Sequence, residues 1–433
     1  MKTIVAAALA VVALSFPAAT DDTLAAIAAG KGVTSELSGL QVSTMKGGKA
    51  SGSYSFGMAQ LNHGSPTPLT ASHKIRVASI SKMVMAIGFM QLVESGKLNL
   101  DSDVSDVLGW RLRNPAFPNT AITARQLLAH TSSLRDGNSY WLAAGGELKS
   151  FFEPTGDNYE GGAHFAPEGP GEYFNYANIN FGVLGSLMEI ASGERFDQYM
   201  VRHVLQPLGL SASYNPCDVP DGMRAAAFRK RGPDGWNPSG PWIAQVDGDA
   251  PECFYGMSAM NQAAINAFEA GYQLGSNGTL FSPQGGLRAS ADDLLTILQL
   301  LAAGGELNGT RIITEQSVAQ LLSPVWTFDP ATQNGNTTGE DEPGGPSEGL
   351  MTSYGLSVHR INLPEWGMGD GILVGHLGEA YGVLSHALLD PKTGDGIATI
   401  LTGTANNPAS APAGTSPLYR VEEEIMRWWL ASR

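Results

Sequence analysis

The chain contains 433 residues, of which 43% are hydrophobic and 15% are charged, and its formal net charge is -15. Its 53 glycines and 25 prolines exclude a coiled coil, and its apolar content excludes a disordered chain. Because only 26 Lys and Arg residues stand against 41 Asp and Glu residues, the chain lacks the basic surface that nucleic-acid binding requires.

The first twenty residues have the three parts of a secretory signal peptide. Lys2 gives a positive start, residues 4–16 are almost wholly apolar, and Pro17–Ala19 offers small residues for cleavage. This apolar run is shorter than the roughly 20 residues that a membrane-spanning helix needs. We therefore expect cleavage near residue 20, no membrane span afterwards, and export to the periplasm or the extracellular space.

Apolar periodicity and turn residues predict the elements that follow. A short helix over 24–29 precedes a β-hairpin over 38–61. The stretch 79–95 is apolar nearly all round and is closed by Gly96, which predicts a buried helix. Further helices are predicted over 124–130, 179–191, 196–203, 289–303 and 418–430, and strands over 352–361, 371–374, 382–389 and 396–402.

The order of these elements predicts one domain of the α/β class over residues 21–433. Strands at both ends predict an antiparallel sheet built from about 23–78 and 350–433 and flanked by the terminal helices. A mostly helical lobe, about 79–327, is inserted between them. Two segments rich in Pro, Gly, Asn and Asp, 215–262 and 328–350, are expected to be long surface loops.

The cysteines and histidines give no sign of a metal site. Cys217 and Cys253 are the only cysteines, and they form either one disulfide or two isolated thiols. The eight histidines include no pair at metal-binding spacing with an intervening Glu, and Walker and dinucleotide-binding motifs are absent from the sequence. We therefore expect neither a metal nor a cofactor.

Three short motifs contain candidate serine nucleophiles. The pentapeptide 345–349 has the G-x-S-x-G pattern, but it lies in a predicted loop rather than between a strand and a helix. The pattern S-x-x-K occurs at Ser43–Lys46, inside the hairpin, where residues three apart point to opposite faces. It occurs again at Ser79–Lys82, at the start of the most apolar helix, where the two side chains share a face. The second occurrence suits a nucleophile with an adjacent base, although an ordinary core lysine remains an alternative.

Two other motifs carry side chains that could serve such a nucleophile. Residues 173–178 hold two Tyr-x-Asn triplets, in which Tyr can transfer a proton and Asn can bond both Lys and a substrate carbonyl. Residues 375–378, Gly-His-Leu-Gly, end a predicted strand where glycine permits close approach of a substrate and His376 can donate to it. A structural role for His376 is the alternative.

The motif Ser79–Lys82, the Tyr-x-Asn triplets at 173–178 and Gly-His-Leu-Gly at 375–378 occur in the same order as the motifs of the penicillin-recognising serine hydrolases and resemble them. That family includes class C β-lactamases, D,D-carboxypeptidases and β-lactamase-like esterases. The resemblance runs from about residue 23 to the C-terminus and implies a β-lactamase-like fold. Four longer segments look like signature blocks of the family: 75–108, 122–134 (ITARQLLAHTSSL), 174–185 (FNYANINFGVLG) and 282–295 (SPQGGLRASADDLL).

The resemblance implies roles for the first two motifs. Ser79 would be the acylated nucleophile and Lys82 its base partner. Tyr176, rather than Tyr173, would be the second acid/base, because it falls in the matching block. Asn178 would orient Lys82 and the substrate.

The third motif departs from the family pattern. His376 would occupy the Lys position of the K-T-G strand, with Gly378 beside the substrate. The backbone N–H groups of Ser79 and Glu379 would form the oxyanion hole. The Glu379 side chain would place an acid where a substrate carboxylate docks, if it faces the cleft.

The sequence thus predicts an exported serine hydrolase that acts through an acyl-enzyme. His376 and Glu379 favour a small-molecule ester or a D-amino-acid peptide as substrate. The first alternative is a β-lactamase, and the second is a non-catalytic peptidoglycan- or penicillin-binding module.

Overall fold

The computed structural model describes residues 21–31, 35–62, 65–220, 222–232, 235–248, 252–254, 257–258, 261–338, 349–363, 371–405, 408 and 416–433. Its α-helices are α1 (Asp22–Ala28), α2 (Ile80–Glu94), α3 (Ser105–Leu108), α4 (Ala124–Leu128), α5 (Ile179–Ser192), α6 (Phe196–Met200), α7 (Gln262–Gly271), α8 (Ala291–Ala302), α9 (Glu315–Leu322) and α10 (Arg420–Ala431). The predicted signal peptide and residues 345–348 of the G-x-S-x-G pentapeptide lie outside the described residues.

The strands follow the chain from residue 39 to residue 402. They are β1 (Gly39–Lys46), β2 (Lys49–Asn62), β3 (Ser65–Pro68), β4 (Ile75–Arg76), β5 (Ala227–Gly232), β6 (Gly235–Trp236), β7 (Trp242–Val246), β8 (Glu252–Phe254), β9 (Met257–Ser258), β10 (Arg288–Ala289), β11 (Glu306–Leu307), β12 (Thr310–Arg311), β13 (Trp326–Thr327), β14 (Ser353–Tyr354), β15 (His359–Asn362), β16 (Ile372–Ala380), β17 (Val383–Leu389) and β18 (Gly396–Thr402).

One antiparallel sheet joins the two ends of the chain. Its nine described strands lie in the order β13-β14-β15-β16-β17-β18-β1-β2-β3. Strand β1 pairs with β18, so that Gly39 lies opposite Thr402 and Met45 opposite Gly396. The α/β class, with a sheet completed by both termini, is therefore confirmed.

Strand alternation divides the sheet into two buried faces. In β18, Ile397 and Leu401 pack with Ile425 of α10 in one apolar cluster. The intervening Ala398 and Ile400 belong to the other cluster, which contains α2, α5 and α8. Because successive strand residues point to opposite faces, the terminal helices cover one side of the sheet and the inserted helices cover the other.

Local signals in the sequence set the ends of the principal helices. Helix α2 is buried nearly all round, and Gly96, with a φ of 72°, lies just after its end in the left-handed conformation that glycine adopts readily. Helix α8 begins with a capping box in which Ser290 and Asp293 each accept a bond from the backbone of the other. Helix α6 continues as a π-helical turn to Leu205.

Three of the expected segments differ in the structure. The strand predicted over 371–374 continues as β16 to Ala380, so residues 375–378 lie within the strand and not at its end. The segment 215–262, expected to be loops, contains strands β5 to β9, with β5 paired to both β6 and β7. Pro238 and Gly240 lie in the turn between β6 and β7, and these strands are too short to show a clear period. The predicted strand 352–361 is divided into β14 and β15, because Gly355–Ser357 turns the chain and Ser357 has a φ of 59°.

Candidate active site

Ser79 lies at the point where strand β4 leads into helix α2. The preceding residue, Ala78, has a φ of 48°, an uncommon conformation for a residue with a side chain. Neighbouring bonds maintain it, since Ser81 Oγ donates to the Ala78 carbonyl at 2.6 Å and accepts from the Leu287 N–H at 3.0 Å. Strained backbone held in this way is typical of functional sites.

Lys82, fully buried one turn into α2, contacts oxygen atoms from three separate segments of the chain. Its Nζ lies 2.9 Å from Ser79 Oγ, 2.7 Å from Asn178 Oδ1 and 2.8 Å from the Gln284 carbonyl oxygen. Gln284 reaches this position because β10 pairs with β4, which draws the chain before residue 288 alongside the start of α2. No sequence signal points to Gln284, because its contact with Lys82 is made by its backbone carbonyl.

Asp136, which the sequence analysis missed, supports Asn178 from the opposite side. Its Oδ2 accepts from Asn178 Nδ2 at 2.9 Å, and its Oδ1 accepts from the Ile179 N–H at 2.8 Å. Burial raises the pKa of the Asp136 carboxyl, while the N–H donors of Ile179 and Asn178 act in the opposite direction. No spacing in the sequence connects position 136 with position 178.

Tyr176 lies over the lysine and under a histidine. Lys82 Nζ is 4.8 Å from the centre of the Tyr176 ring, and the His130 ring is stacked on the tyrosine at 4.2 Å. His130 Nδ1 accepts from the Ala177 N–H at 2.9 Å, and burial lowers the pKa of His130 well below its ordinary value. His130 is therefore a neutral packing partner of Tyr176.

The contacts of His376 differ from those expected of a substrate donor. Its side chain is fully buried, Nδ1 lies 2.5 Å from the Leu377 carbonyl, and Nε2 lies 2.9 Å from Tyr354 Oη. A carbonyl only accepts, so Nδ1 carries the proton and the Tyr354 hydroxyl donates to Nε2. Burial, together with His359 and Lys82, lowers the pKa of His376 well below its ordinary value. Both nitrogens are thus engaged within the protein, and the ring is neutral.

Glu379 also departs from expectation, because its side chain belongs to the opposite face of the sheet. Tyr419 Oη, just before α10, donates to Glu379 Oε2 at 2.9 Å. Strand alternation places Leu377 on this same face, in the cluster formed with α10, and His376 on the other face. The Glu379 carboxylate is therefore not positioned beside the Ser79 cleft, and the substrate argument based on it fails.

Gly378 brings strand β16 against the start of α2. A Cβ at this position would lie 3.0 Å from the Ser79 nitrogen, 2.6 Å from the Val77 oxygen and 2.5 Å from Ser385 Oγ. Glycine is therefore required for the approach of the strand to Ser79. The two backbone segments expected to form the oxyanion hole, at Ser79 and at 378–379, are adjacent in space.

The other sequence features considered above are the Ser43–Lys46 motif, the two cysteines, and possible metal or membrane sites. Ser43 donates to Asp292 Oδ1 at 2.5 Å, while Lys46 is exposed at the end of the hairpin, so the first S-x-x-K motif is not assembled. Cys217 and Cys253 are joined in a disulfide. Among the residues with described positions, no cluster suited to a metal ion and no helix long and apolar enough to cross a membrane is found.

A cavity of about 800 Å³ is lined by Gln284, whose backbone carbonyl contacts Lys82, although Ser79 and Lys82 themselves do not line it. The segment 215–262 forms one wall with Val246 and Cys253, and the aromatic side chains of Trp141 and Tyr381 also line it. Those two rings are 43% and 41% exposed, and the Arg76 guanidinium lies 4.8 Å from the Tyr381 ring centre. The cavity is large enough for a substrate with a bulky apolar group.

The chain is similar to known proteins over most of its length. A family model described as Beta-lactamase matches residues 23–417. Over 220 residues the chain is 27% identical to PbpX, a putative penicillin-binding protein of Bacillus subtilis strain 168, covering 49% of each chain. Over 155 residues it is 28% identical to penicillin-binding protein 4 of Amycolatopsis lactamdurans, covering 35% of this chain and 39% of that one. The chain thus spans about half or less of the length of these curated relatives.

Solved structures show the same fold at low sequence identity. The octameric penicillin-binding protein homologue from Pyrococcus abyssi has a TM-score of 0.62 at 20% identity, over 94% of this chain and 76% of that chain. The D-amino acid amidase from Ochrobactrum anthropi SV3, complexed with L-phenylalanine amide, has a TM-score of 0.61 at 18% identity, over 95% of this chain and 98% of that chain. These likenesses confirm the expected architecture.

Proposed function

The chain belongs to the β-lactamase family of serine hydrolases, and from that premise we propose that it is an exported enzyme that cleaves ester or amide bonds through an acyl-enzyme on Ser79. The observation that supports this proposal best is the set of contacts around Lys82. Two of the oxygen atoms that Lys82 contacts, Asn178 Oδ1 and the Gln284 carbonyl, can only accept hydrogen bonds.

An ammonium at Lys82 would donate to all three oxygen atoms, whereas the neutral amine that a base requires would donate to two of them. A neutral amine has two N–H groups and one lone pair. If the N–H groups donate to Asn178 and Gln284, the lone pair points at Ser79 Oγ, 2.9 Å away. Lys82 can then take the hydroxyl proton as Ser79 attacks, which is how a weak nucleophile is activated.

The rest of the cycle follows from the same groups. Ser79 Oγ attacks the substrate carbonyl, and the oxyanion is bound by the backbone N–H groups of Ser79 and Glu379. The proton held by Lys82 passes to the leaving alcohol or amine, with Tyr176 beside it as the second acid/base. Water then attacks the acyl-enzyme, loses its proton to the same base, and releases the acid and Ser79.

For the substrate, we propose an ester or a D-amino-acid amide or peptide rather than a β-lactam. A neutral, engaged His376 stands where the K-T-G pattern has a lysine cation, so a substrate carboxylate finds no positive charge there. The large aromatic-lined cavity suits a bulky acyl group. The fold likeness to a D-amino acid amidase supports the same choice.

Export is part of the proposal. The apolar N-terminal stretch has the pattern of a signal peptide, and a disulfide between Cys217 and Cys253 suits an oxidising compartment. Mass spectrometry of the N-terminus of protein recovered from the producing cells tests it. A mature chain that begins near residue 21 supports export, and a cytoplasmic chain that retains residues 1–20 contradicts it.

A fluorophosphonate probe tests the catalytic assignment. We expect it to label the wild type, not to label Ser79→Ala, and to label Lys82→Met at least about 1000-fold more slowly, the order of loss found when an activating base is removed. Ser43→Ala and Lys46→Met are matched controls from the unassembled S-x-x-K motif and should label like the wild type. Absence of wild-type labelling would indicate a non-catalytic binding module.

Three substrates tested in parallel identify the reaction. We expect turnover of a nitrophenyl ester with an aromatic acyl group, or of a D-amino-acid amide, to exceed turnover of a chromogenic cephalosporin. Efficient cephalosporin hydrolysis without ester or amide hydrolysis would reverse this ordering and identify a β-lactamase.

A further inference from the structure

The direction of the Asn178 side-chain amide decides whether Lys82 can act as a base. With its oxygen toward Lys82, as in the structure, Asn178 accepts one N–H at 2.7 Å. With the amide reversed, its NH2 group would point at Nζ and compete with the Ser79 hydroxyl for the lysine lone pair. The two orientations have nearly the same shape, so packing alone does not distinguish them.

Asp136 supplies the distinction. Burial opposes ionisation of Asp136, but the N–H donors of Ile179 and Asn178 and the nearby Lys82 favour the carboxylate form. A carboxylate has no hydrogen to donate, so the side of the Asn178 amide that contacts it must be the NH2 group. The contact from Asn178 Nδ2 to Asp136 Oδ2 is 2.9 Å long. The second carboxylate oxygen accepts from the Ile179 N–H at 2.8 Å, which prevents the carboxylate from rotating away.

We propose that Asp136 is a positioning residue, which holds the Asn178 amide with its oxygen toward Lys82 and thereby directs the lysine lone pair to the Ser79 hydroxyl. This inference rests on the proposed function. Asp136 touches neither the substrate nor the reacting atoms in this scheme and acts through Asn178. Its negative charge also favours the ammonium that Lys82 becomes once it has taken the serine proton.

A purely structural role is the rival explanation, because Asp136 also binds the first N–H of α5. The two roles predict different kinetics. A positioning role predicts that Asp136→Asn, in which the new amide can pair with a reversed Asn178, lowers the acylation rate constant by about 10- to 100-fold with little change in KM. A capping role predicts lower stability and an unchanged rate constant for the folded enzyme.

The experiment is a double-mutant cycle read as the labelling rate by the fluorophosphonate probe. The variants are Asp136→Asn, Asn178→Ala and the pair, with urea unfolding recorded for each. We expect Asp136→Asn to have less than a twofold effect in the Asn178→Ala background, because the group through which it acts is gone. Asn261→Ala, which removes the side-chain cap of α7 at Ala264 N, is the control for a lost cap and should label at the wild-type rate.

Each outcome decides the question. The positioning role is overturned if Asp136→Asn lowers the labelling rate equally in the wild-type and Asn178→Ala backgrounds, or if Asp136→Asn labels at the wild-type rate. Either result leaves the proposed function intact. No labelling of the wild type overturns both. If Asp136→Asn does not fold, Asp136→Glu replaces it, since a carboxylate is retained but displaced. A folded Asp136→Glu with partial activity that depends on Asn178 supports the proposal, and one whose rate is independent of Asn178 refutes it.

Discussion

The approach of strand β16 to the start of α2 can be tested with one added methyl group at Gly378. In Gly378→Ala the new Cβ would lie 2.6 Å from the Val77 carbonyl oxygen and 3.0 Å from the Ser79 nitrogen. Ordinary contact begins at about 3.4 Å, so β16 and the segment 77–79 that leads into α2 must separate by about 0.8 Å at the Val77 oxygen. Both segments are backbone, which cannot move aside as a flexible side chain can.

That displacement acts directly on the groups expected to bind the oxyanion. A misplacement of about 1 Å in a catalytic arrangement costs on the order of 100-fold in rate, and loss of one oxyanion donor costs about 100- to 1000-fold in kcat. We therefore expect Gly378→Ala to remain folded and to acylate roughly 100-fold more slowly. The Ser79–Lys82 contact lies within α2 itself and is not directly opposed by the new methyl group.

The assay is the single-turnover labelling rate by the fluorophosphonate probe, with circular dichroism and urea unfolding as checks of the fold. Gly271→Ala is the matched control, because a Cβ at Gly271 would meet nothing within 4 Å. It should label like the wild type. A Gly378→Ala variant that is folded and labels at the wild-type rate would refute the assignment of this strand to the oxyanion site.

Two further predictions concern stability. Burial lowers the pKa of His359 to about 3 from its ordinary 6.5, so the unfolded chain binds a proton that the folded chain does not. The stability that His359 contributes is complete above about pH 6.5 and is lost as the pH falls toward 3, with a slope of about 1.4 kcal/mol per pH unit. His359→Leu should therefore lower the slope of the unfolding free energy against pH by about 1.4 kcal/mol per pH unit between pH 3 and 6.5, which corresponds to one proton. An unchanged slope in urea titrations at several pH values would contradict this. The paired change Cys217→Ser and Cys253→Ser opens a crosslink across 36 residues, for which loop closure predicts a loss of about 4 kcal/mol if the segment unfolds with the rest. Urea unfolding measures it, and an unaltered midpoint would mean that the segment adds nothing to global stability.

Local patterns in the sequence determined much of this protein. Gly96 ended α2, Ser290 and Asp293 began α8, and the alternation of 396–402 gave strand β18 with its observed bounds. The S-x-x-K motif at Ser79 was separable from the one at Ser43 because helix and strand periods place residues three apart differently. These features depend on residues within about one helical turn of each other in the sequence, so they can be predicted from residue type and spacing.

Other features depended on contacts between distant segments. Gln284 reaches Lys82 by a backbone carbonyl, which residue identity does not encode, and Asp136 meets Asn178 only because a loop returns to the start of α5. The face occupied by Glu379 followed from the position of Tyr419 in the folded chain.

The protonation and contacts of His376 were likewise set by Tyr354 and by burial. The sequence by itself thus determined which groups can do chemistry and approximately where the principal helices lie, while strands β5 to β9 were missed. The tertiary structure alone decided which of those groups meet, because hydrogen bonds and desolvation act through space and not along the chain.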